Sequence, residues 1–251
     1  MTLLLEEKYP IENCEPWDFC GFSYKVNFYN REDLTGIVVA LDLTDHVLEK
    51  AIEEKANLII THHPFIYNNN LEEEFANFPY KEKIYNKLVK LKISVYSLHT
   101  NFDADKQGTS YWVAKEFFPD EKPSPLGKYG ALIKTKIELS ELKAILRKKY
   151  SGPIMTNNKK ASFSFNGVAF FAGSGDSPEI NEHTTKNNIL ITSDTKWSDW
   201  IFLSQNKKTL VNISHQTEEL FIKVIYFLLT KKFKKGVNVS TFYYKNLINS
   251  L

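Results

Sequence analysis

Cysteine is nearly absent from this chain. Cys14 and Cys20 are the only two, and their spacing matches neither a zinc knuckle nor a C-x-x-C redox pair. No disulfide framework is expected, and two reduced thiols in a cytoplasmic protein are. No apolar run approaches the roughly 18 residues that a spanning helix needs, so membrane insertion is not expected. The N-terminus has a short apolar stretch followed by Glu6 and Glu7. It lacks the basic start and longer apolar core of a signal peptide. Neither sign of charge dominates, with 32 Lys+Arg against 30 Asp+Glu, which removes the electrostatic warrant for a polyanion-binding role. The basic run 231–235 (KKFKK) reads as a solvated helix end whose cations complement the helix dipole. Nucleic acid is therefore not an expected partner.

What remains is a globular chain of 251 residues, 43% hydrophobic. That is enough for one large domain or two packed lobes of about 120 residues each. Short β-branched apolar runs at 37–41 (IVVAL), 58–61 (LIIT) and 93–98 read as buried strands. Between them, Thr44 caps a helix that carries Val47, Leu48, Ala51 and Ile52 on one face, and further helices fall around 80–91 and 109–118. Strand and helix alternate, which predicts an α/β fold with a mostly parallel sheet and crossover helices. Three prolines within 119–125 (PDEKPSP) mark a lobe boundary. The expected organisation is a first α/β lobe over 1–125 and a second over 126–251, packed together as one unit. The second half repeats the theme, with strands near 131–135, 167–171, 188–192 and 209–213 and helices at 140–149, 197–206 and 217–231. A closing strand is expected at 238–244. The halves look alike without a residue-by-residue repeat. The 13 Tyr, 18 Phe and 4 Trp mainly supply core and subunit interfaces.

The chemistry lies in the histidines. Of six, four (His62, His63, His99 and His215) fall within two residues of the carboxyl end of an expected strand, where open α/β sheets bind ligands. His46 and His183 read as ordinary surface residues. His99 and His215 each have a carboxylate four residues on, Asp103 and Glu219. If the second pair lies on the first turn of the helix beginning near Thr217, its imidazole and carboxylate can face the same way. Pro64 holds His63 extended, so the adjacent rings of His62 and His63 are expected to diverge and to serve two neighbouring ions. Taken singly, each motif has an ordinary explanation as a turn, a cap or a first-turn acid. Four imidazoles at one sheet edge do not. Imidazole and carboxylate without thiolate suit Zn, Fe, Mn, Co or Ni. Two divalent ions against two carboxylates leave a positive centre that attracts anions, which tilts the substrate toward a phosphorylated or nucleotide-like molecule.

Thr61-His62-His63-Pro64-Phe65, Leu98-His99-Thr100-Asn101-Phe102-Asp103-Ala104 and the late His215-x3-Glu219 resemble the NIF-three-like dinuclear-metal family. Its members are often labelled GTP cyclohydrolase I type 2 homologues. The resemblance runs from about Gly36 to Leu229. It implies an α/β subunit of two related lobes assembled into a ring-shaped homohexamer, with a bimetallic centre facing the inside of the ring. Carried over by motif, the ligands of the two divalent ions are His62, His63, His99, Asp103, His215 and Glu219, with Glu218 adjacent. Ala172-Gly173-Ser174-Gly175 resembles the family's glycine-rich turn; a Gly-Ser-Gly after a strand lets backbone N–H groups approach an anion, which makes Ser174 a candidate substrate contact, but alone it is equally a plain tight turn. The stretch 192–199 (TSDTKWSD) resembles another family segment, with Ser198 where a histidine is usual. The extra domain inserted in some relatives is not expected.

Two functions follow. The first is a metal-dependent hydrolase acting on a nucleotide or other phosphorylated substrate, GTP ring opening and phosphoester hydrolysis being two versions. In it Asp194 and Lys196 are candidates for substrate contact or proton relay, and Thr100 and Asn101 for binding or orienting. The second is a non-catalytic metal-binding or protein-interaction ring, to which Ser198 gives weight.

Overall fold

The computed structural model describes residues 2–174, 177–233 and 236–245. The chain separates into two compact units. The first comprises residues 1–104 and 221–245, and the second is built on residues 105–220.

In the first unit a five-stranded sheet contains β1 (Gly21–Phe22), β2 (Gly36–Ala40), β3 (Leu58–Thr61), β4 (Ser94–Ser97) and the C-terminal strand Asn238–Thr241. Their order is β1-β4-β3-β2 and then the C-terminal strand. All pairings are parallel except that of β1 with β4. Every residue of β2, β3 and β4 is buried, as expected for parallel strands covered on both faces. The helices Asp45–Glu53 and Pro79–Leu91 turn Val47, Leu48, Ala51, Ile84 and Leu88 toward this core. Strand 238–241 was expected to close the second half. It pairs instead with β2, covering an edge whose N–H and C=O groups need a partner.

The second unit carries β5 (Ser124–Leu126), β6 (Gly130–Ile133), β7 (Met155–Thr156), β8 (Gly167–Ser174), β9 (Asn188–Ser193) and β10 (Thr209–Asn212). Their order is β5-β6-β8-β9-β10-β7. The three central strands are parallel, and the outer ones run antiparallel. One core lies beneath Phe117, Leu142, Leu146, Val168 and Phe170, and a smaller one surrounds Phe171, Leu190 and Leu203 on the opposite side of the alternating strand residues. The proline-rich segment 119–125 ends the helix Thr109–Phe117 and leads into β5. Proline following a helix C-cap stops an element, and here the units divide elsewhere, after Ala104 and after Leu220. No helix of the described residues is long and apolar enough to cross a membrane.

The cysteines differ from expectation. Cys14 and Cys20 are joined as a disulfide, with Cα atoms 6.3 Å apart. A 3-10 turn at Ile11–Asn13 folds the chain back before β1. A six-residue separation is thereby closed locally, which spacing rules for metal and redox motifs do not address. The basic run is partly described: Lys231 and Lys232 occupy the last turn of helix Leu220–Lys232, as the dipole reading expects, while Lys234 and Lys235 lie outside the described residues.

The segment following Pro64 is braced by a buried ion pair of Lys81 with Glu74. The Lys81 ammonium also lies 4.5 Å from the Phe78 ring centre and 5.1 Å from that of Tyr67. Removing one partner leaves the other charge buried without it. Lys81→Met is therefore expected to cost about 3–5 kcal/mol in chemical denaturation, and Lys81→Met with Glu74→Leu to recover most of that loss.

Candidate metal centre

In the first unit, His62 and His63 follow directly on the last residue of β3. Both backbone N–H groups donate to the Leu41 carbonyl at 3.1 Å, and the Thr61 hydroxyl donates to the His63 carbonyl at 2.7 Å. His62 is fully buried. Its Nδ1 lies 2.7 Å from the Leu98 carbonyl. A carbonyl only accepts, so Nδ1 carries the proton and Nε2 keeps the lone pair. That Nε2 is 3.7 Å from Asp103 Oδ1. His63 Nδ1 is 2.8 Å from Asp42 Oδ1. The two rings, expected to diverge, have centroids 4.9 Å apart and are tilted by 50°. Each also lies against His99, at 5.2 and 5.4 Å. Restricting the backbone at Pro64 does not set χ1, and the acceptors on neighbouring strands do. One ligand nitrogen from each of His62, His63 and His99 lies within 4.8 Å of the others.

His99 precedes the one-turn helix Thr100–Asp103. Asn101 is fully buried; its Oδ1 accepts from the His99 N–H at 3.1 Å and its Nδ2 donates to the Tyr9 carbonyl at 2.9 Å. His99 Nδ1 meets Asp18 Oδ1 at 2.9 Å. The other Asp18 oxygen accepts from the Thr100 N–H at 3.1 Å and the Thr100 hydroxyl at 2.6 Å. Burial pushes the Asp18 carboxyl up. The hydrogen bond and charge of His99, with donors from Thr100 and Phe19, outweigh that and hold it down to about 2. Asp18 is thus a carboxylate anchored behind His99. Thr100 and Asn101 turn inward as orienting groups of this loop.

In the second unit, His215 opens a 3-10 helix, His215–Glu219, beyond the carboxyl end of β10. The expected partner four residues on assumed an α-helix. With three residues per turn, positions i and i+3 share a face, and it is Glu218 that meets the ring, with Oε2 2.7 Å from His215 Nε2. Glu218 is buried, and Glu219 accepts from the Gln216 side chain at 3.2 Å. His215 Nδ1 lies 2.5 Å from Asp194 Oδ2. Asp194 follows the last residue of β9 with φ of +44°, a left-handed conformation that Asp tolerates. Asp194, expected to contact substrate or relay a proton, is thereby placed behind His215. Gly173 has φ of +70°, and a Cβ there would collide with the Glu218 carboxylate. This glycine makes room for an acid. Ser174, Lys196 and Ser198 are exposed, and Asp199 accepts from the Lys196 N–H at 3.1 Å, capping helix Trp197–Gln205. Gly175 lies outside the described residues.

All four histidines therefore present Nδ1 to an oxygen: the Leu98 carbonyl, Asp42, Asp18 and Asp194. This is the arrangement by which metal-ligating imidazoles are fixed and made more basic at Nε2. The donor set fits a borderline divalent ion. Asp18 and Asp42 escaped sequence reasoning because neither lies in a motif with its histidine. Their signal was position, one just before the short strand β1 and the other just after β2.

Residues 1–247 match the protein family described as Duf34/NIF3 (NGG1p interacting factor 3). A Ureaplasma parvum protein named GTP cyclohydrolase 1 type 2 homolog is 30% identical over 245 residues, covering 94% of this chain and 90% of that protein. A Listeria innocua protein of the same name is 27% identical over 210 residues, 80% of this chain and 55% of its own length. The chain thus spans about half of that relative. Drosophila melanogaster NIF3-like protein 1 is 24% identical over 226 residues, with 86% of this chain and 75% of that one covered. Among solved structures, Staphylococcus aureus protein SA1388 superposes with a TM-score of 0.81 at 20% identity, over 99% of this chain and 97% of that one. Reduced HcgD from Methanocaldococcus jannaschii gives a TM-score of 0.76 at 23% identity, over 95% of each chain. These two structures share the fold.

Glu218→Gln is expected to weaken Zn²⁺ binding about 10–100-fold in a chelator competition, while Glu219→Gln leaves it little changed. Gly173→Ala is expected to lose about 1–3 kcal/mol of stability from the positive φ alone, measured by denaturant titration.

Proposed function

Because the chain belongs to the Duf34/NIF3 family, we propose that it binds two divalent metal ions per chain and acts as a metal-dependent hydrolase on a nucleotide or other phosphorylated substrate. The ligands in this reading are His62, His63, His99, Asp103, His215 and, in place of Glu219, Glu218. The observation that carries it is the shared Nδ1 arrangement of the four histidines. The largely exposed His46 shows only a loose counterpart, its Nδ1 3.5 Å from Glu49 Oε2, whereas the four hold theirs at 2.5–2.9 Å. The names of the Ureaplasma parvum and Listeria innocua relatives support a nucleotide as substrate, and the family resemblance supports a homohexameric ring. A cytoplasmic location also belongs to this reading.

Divalent ions, when bound, supply Lewis acidity toward a phosphoryl or ring-carbon centre and lower the pKa of water toward neutrality. The chain's own part is orientation. Asp42, Asp18 and Asp194 hold the protons of His63, His99 and His215 on Nδ1, and the Leu98 carbonyl does so for His62. Nε2 of His62, His63 and His99 is then the basic nitrogen, while Nε2 of His215 is turned to the Glu218 carboxylate at 2.7 Å. Lys196, exposed beyond β9, is a cation for an anionic substrate. The alternative, a metal-binding ring without turnover, is favoured by one feature: Ser198, exposed in the first turn of helix Trp197–Gln205, cannot exchange a proton near neutral pH as a histidine does.

Metal analysis is expected to give two ions per chain. Assays of GTP and generic phosphoesters with Mn²⁺, Zn²⁺ and Fe²⁺ are expected to show turnover that His99→Ala abolishes while the oligomer persists. Full occupancy without turnover of any of these substrates would establish the alternative, and one ion per chain would overturn the dinuclear reading.

A further inference from the structure

The Cys14–Cys20 disulfide is placed against the carboxylate that orients His99. Asp18 lies within the loop the disulfide closes, and its Oδ2 is 3.6 Å from Cys14 Sγ and 3.2 Å from Cys20 Sγ. The Thr100 hydroxyl, which donates to the same oxygen, is 3.6 and 3.8 Å from the two sulfurs. The Glu15 N–H approaches that hydroxyl at 3.0 Å. The loop 14–20 is thus fastened to the start of the helix that carries Asp103, while Asp18 Oδ1 holds His99 Nδ1. Both cysteines are partly exposed, so a reductant can reach them.

We propose that Cys14 and Cys20 form a reversible thiol–disulfide switch that sets the metal affinity of His99 through Asp18. The inference rests on the metal-binding reading above. In the forward step a dithiol reductant attacks one sulfur as its thiolate. The S–S bond breaks, the departing cysteine thiolate takes a proton, and a mixed disulfide remains. The reductant's second thiol displaces the other cysteine, which leaves two protein thiols and one oxidised reductant, a balanced two-electron exchange. A disulfide oxidant runs the sequence backward.

Reduction changes what Asp18 feels. A disulfide sulfur has no proton to donate. Two thiols at these distances from Oδ2 are S–H donors, and they draw carboxylate charge away from the oxygen facing His99. The loop also regains the conformational freedom that the cross-link removes. Both effects weaken the hold on Nδ1–H and so the basicity of Nε2. The disulfide form is the tight metal binder. A bridge of this kind in a reducing compartment is usually transient or redox-sensing rather than structural.

The test measures Zn²⁺ affinity by chelator competition on the full chain. One sample is disulfide-bonded; the other is reduced with a phosphine and desalted under argon. The disulfide form is expected to bind at least one Zn²⁺ roughly 10-fold more tightly. Cys14→Ser and Cys20→Ser are each expected to show the weaker affinity whatever the redox treatment. Asp18→Asn is expected to bind weakly and to lose the redox difference. Equal affinity in both forms overturns the switch, as does an additional Zn²⁺ per chain on reduction. The latter would make Cys14, Asp18 and Cys20, whose ligand atoms lie within 4.8 Å of one another, a metal site themselves. A metal-free readout separates the two readings. The ¹⁵N shifts of the His99 ring in the apo protein are expected to move on reduction in the wild type and not in Cys14→Ser. Zn²⁺ binding in neither form defeats the metal reading, while unmoved His99 shifts defeat the switch.

Discussion

An imidazole serves a metal only through a nitrogen that keeps its lone pair, so its proton must be held at the other nitrogen. In this protein an acceptor at or beyond the end of the adjacent strand holds it. His62 follows β3 and is oriented by the Leu98 carbonyl after β4. His63 follows the same strand and is oriented by Asp42, after β2. His99 follows β4 and meets Asp18, before the antiparallel β1. In the second unit, His215 beyond β10 meets Asp194 beyond β9. Neighbouring strands lie roughly 4.8 Å apart, which brings the chains that leave them within reach of a hydrogen bond.

This arrangement asks much of the loops. Asp18 is a buried carboxylate, tolerated because His99 and Thr100 both bond to it; a buried anion without such partners would take up a proton instead. Asn101 spends both ends of its amide on the backbone of the His99 loop and of the N-terminal segment. Gly173 gives up a side chain so that Glu218 can lie against it. The residues that look least like chemistry in the linear chain are those that hold the reactive groups still.

Much of the fold is legible in the chain's apolar runs. The strands at 37–41, 58–61 and 188–192 coincide with β2, β3 and β9 to within a residue or two, because parallel strands covered on both faces read as near-continuous apolar runs. The histidines were found for the same reason, since they directly follow such runs. Less legible was anything set by contact between distant segments. The strand at 238–241 joins the first sheet, a choice made by an open edge some 200 residues earlier. The four-residue spacing from His215 pointed to Glu219, yet a 3-10 turn brings Glu218 to the ring.

Local residue order thus determined the α/β class, the strand ends and the four imidazoles placed beyond them, since hydrophobic period and strand termini are properties of consecutive residues. Tertiary structure alone decided which oxygen faces which ring, that Cys14 and Cys20 meet, and that Asp18 and Asp42 belong with the histidines. Those pairings depend on sheet order and on the pitch of one short helical turn, neither of which is written in the spacing of the residues they join.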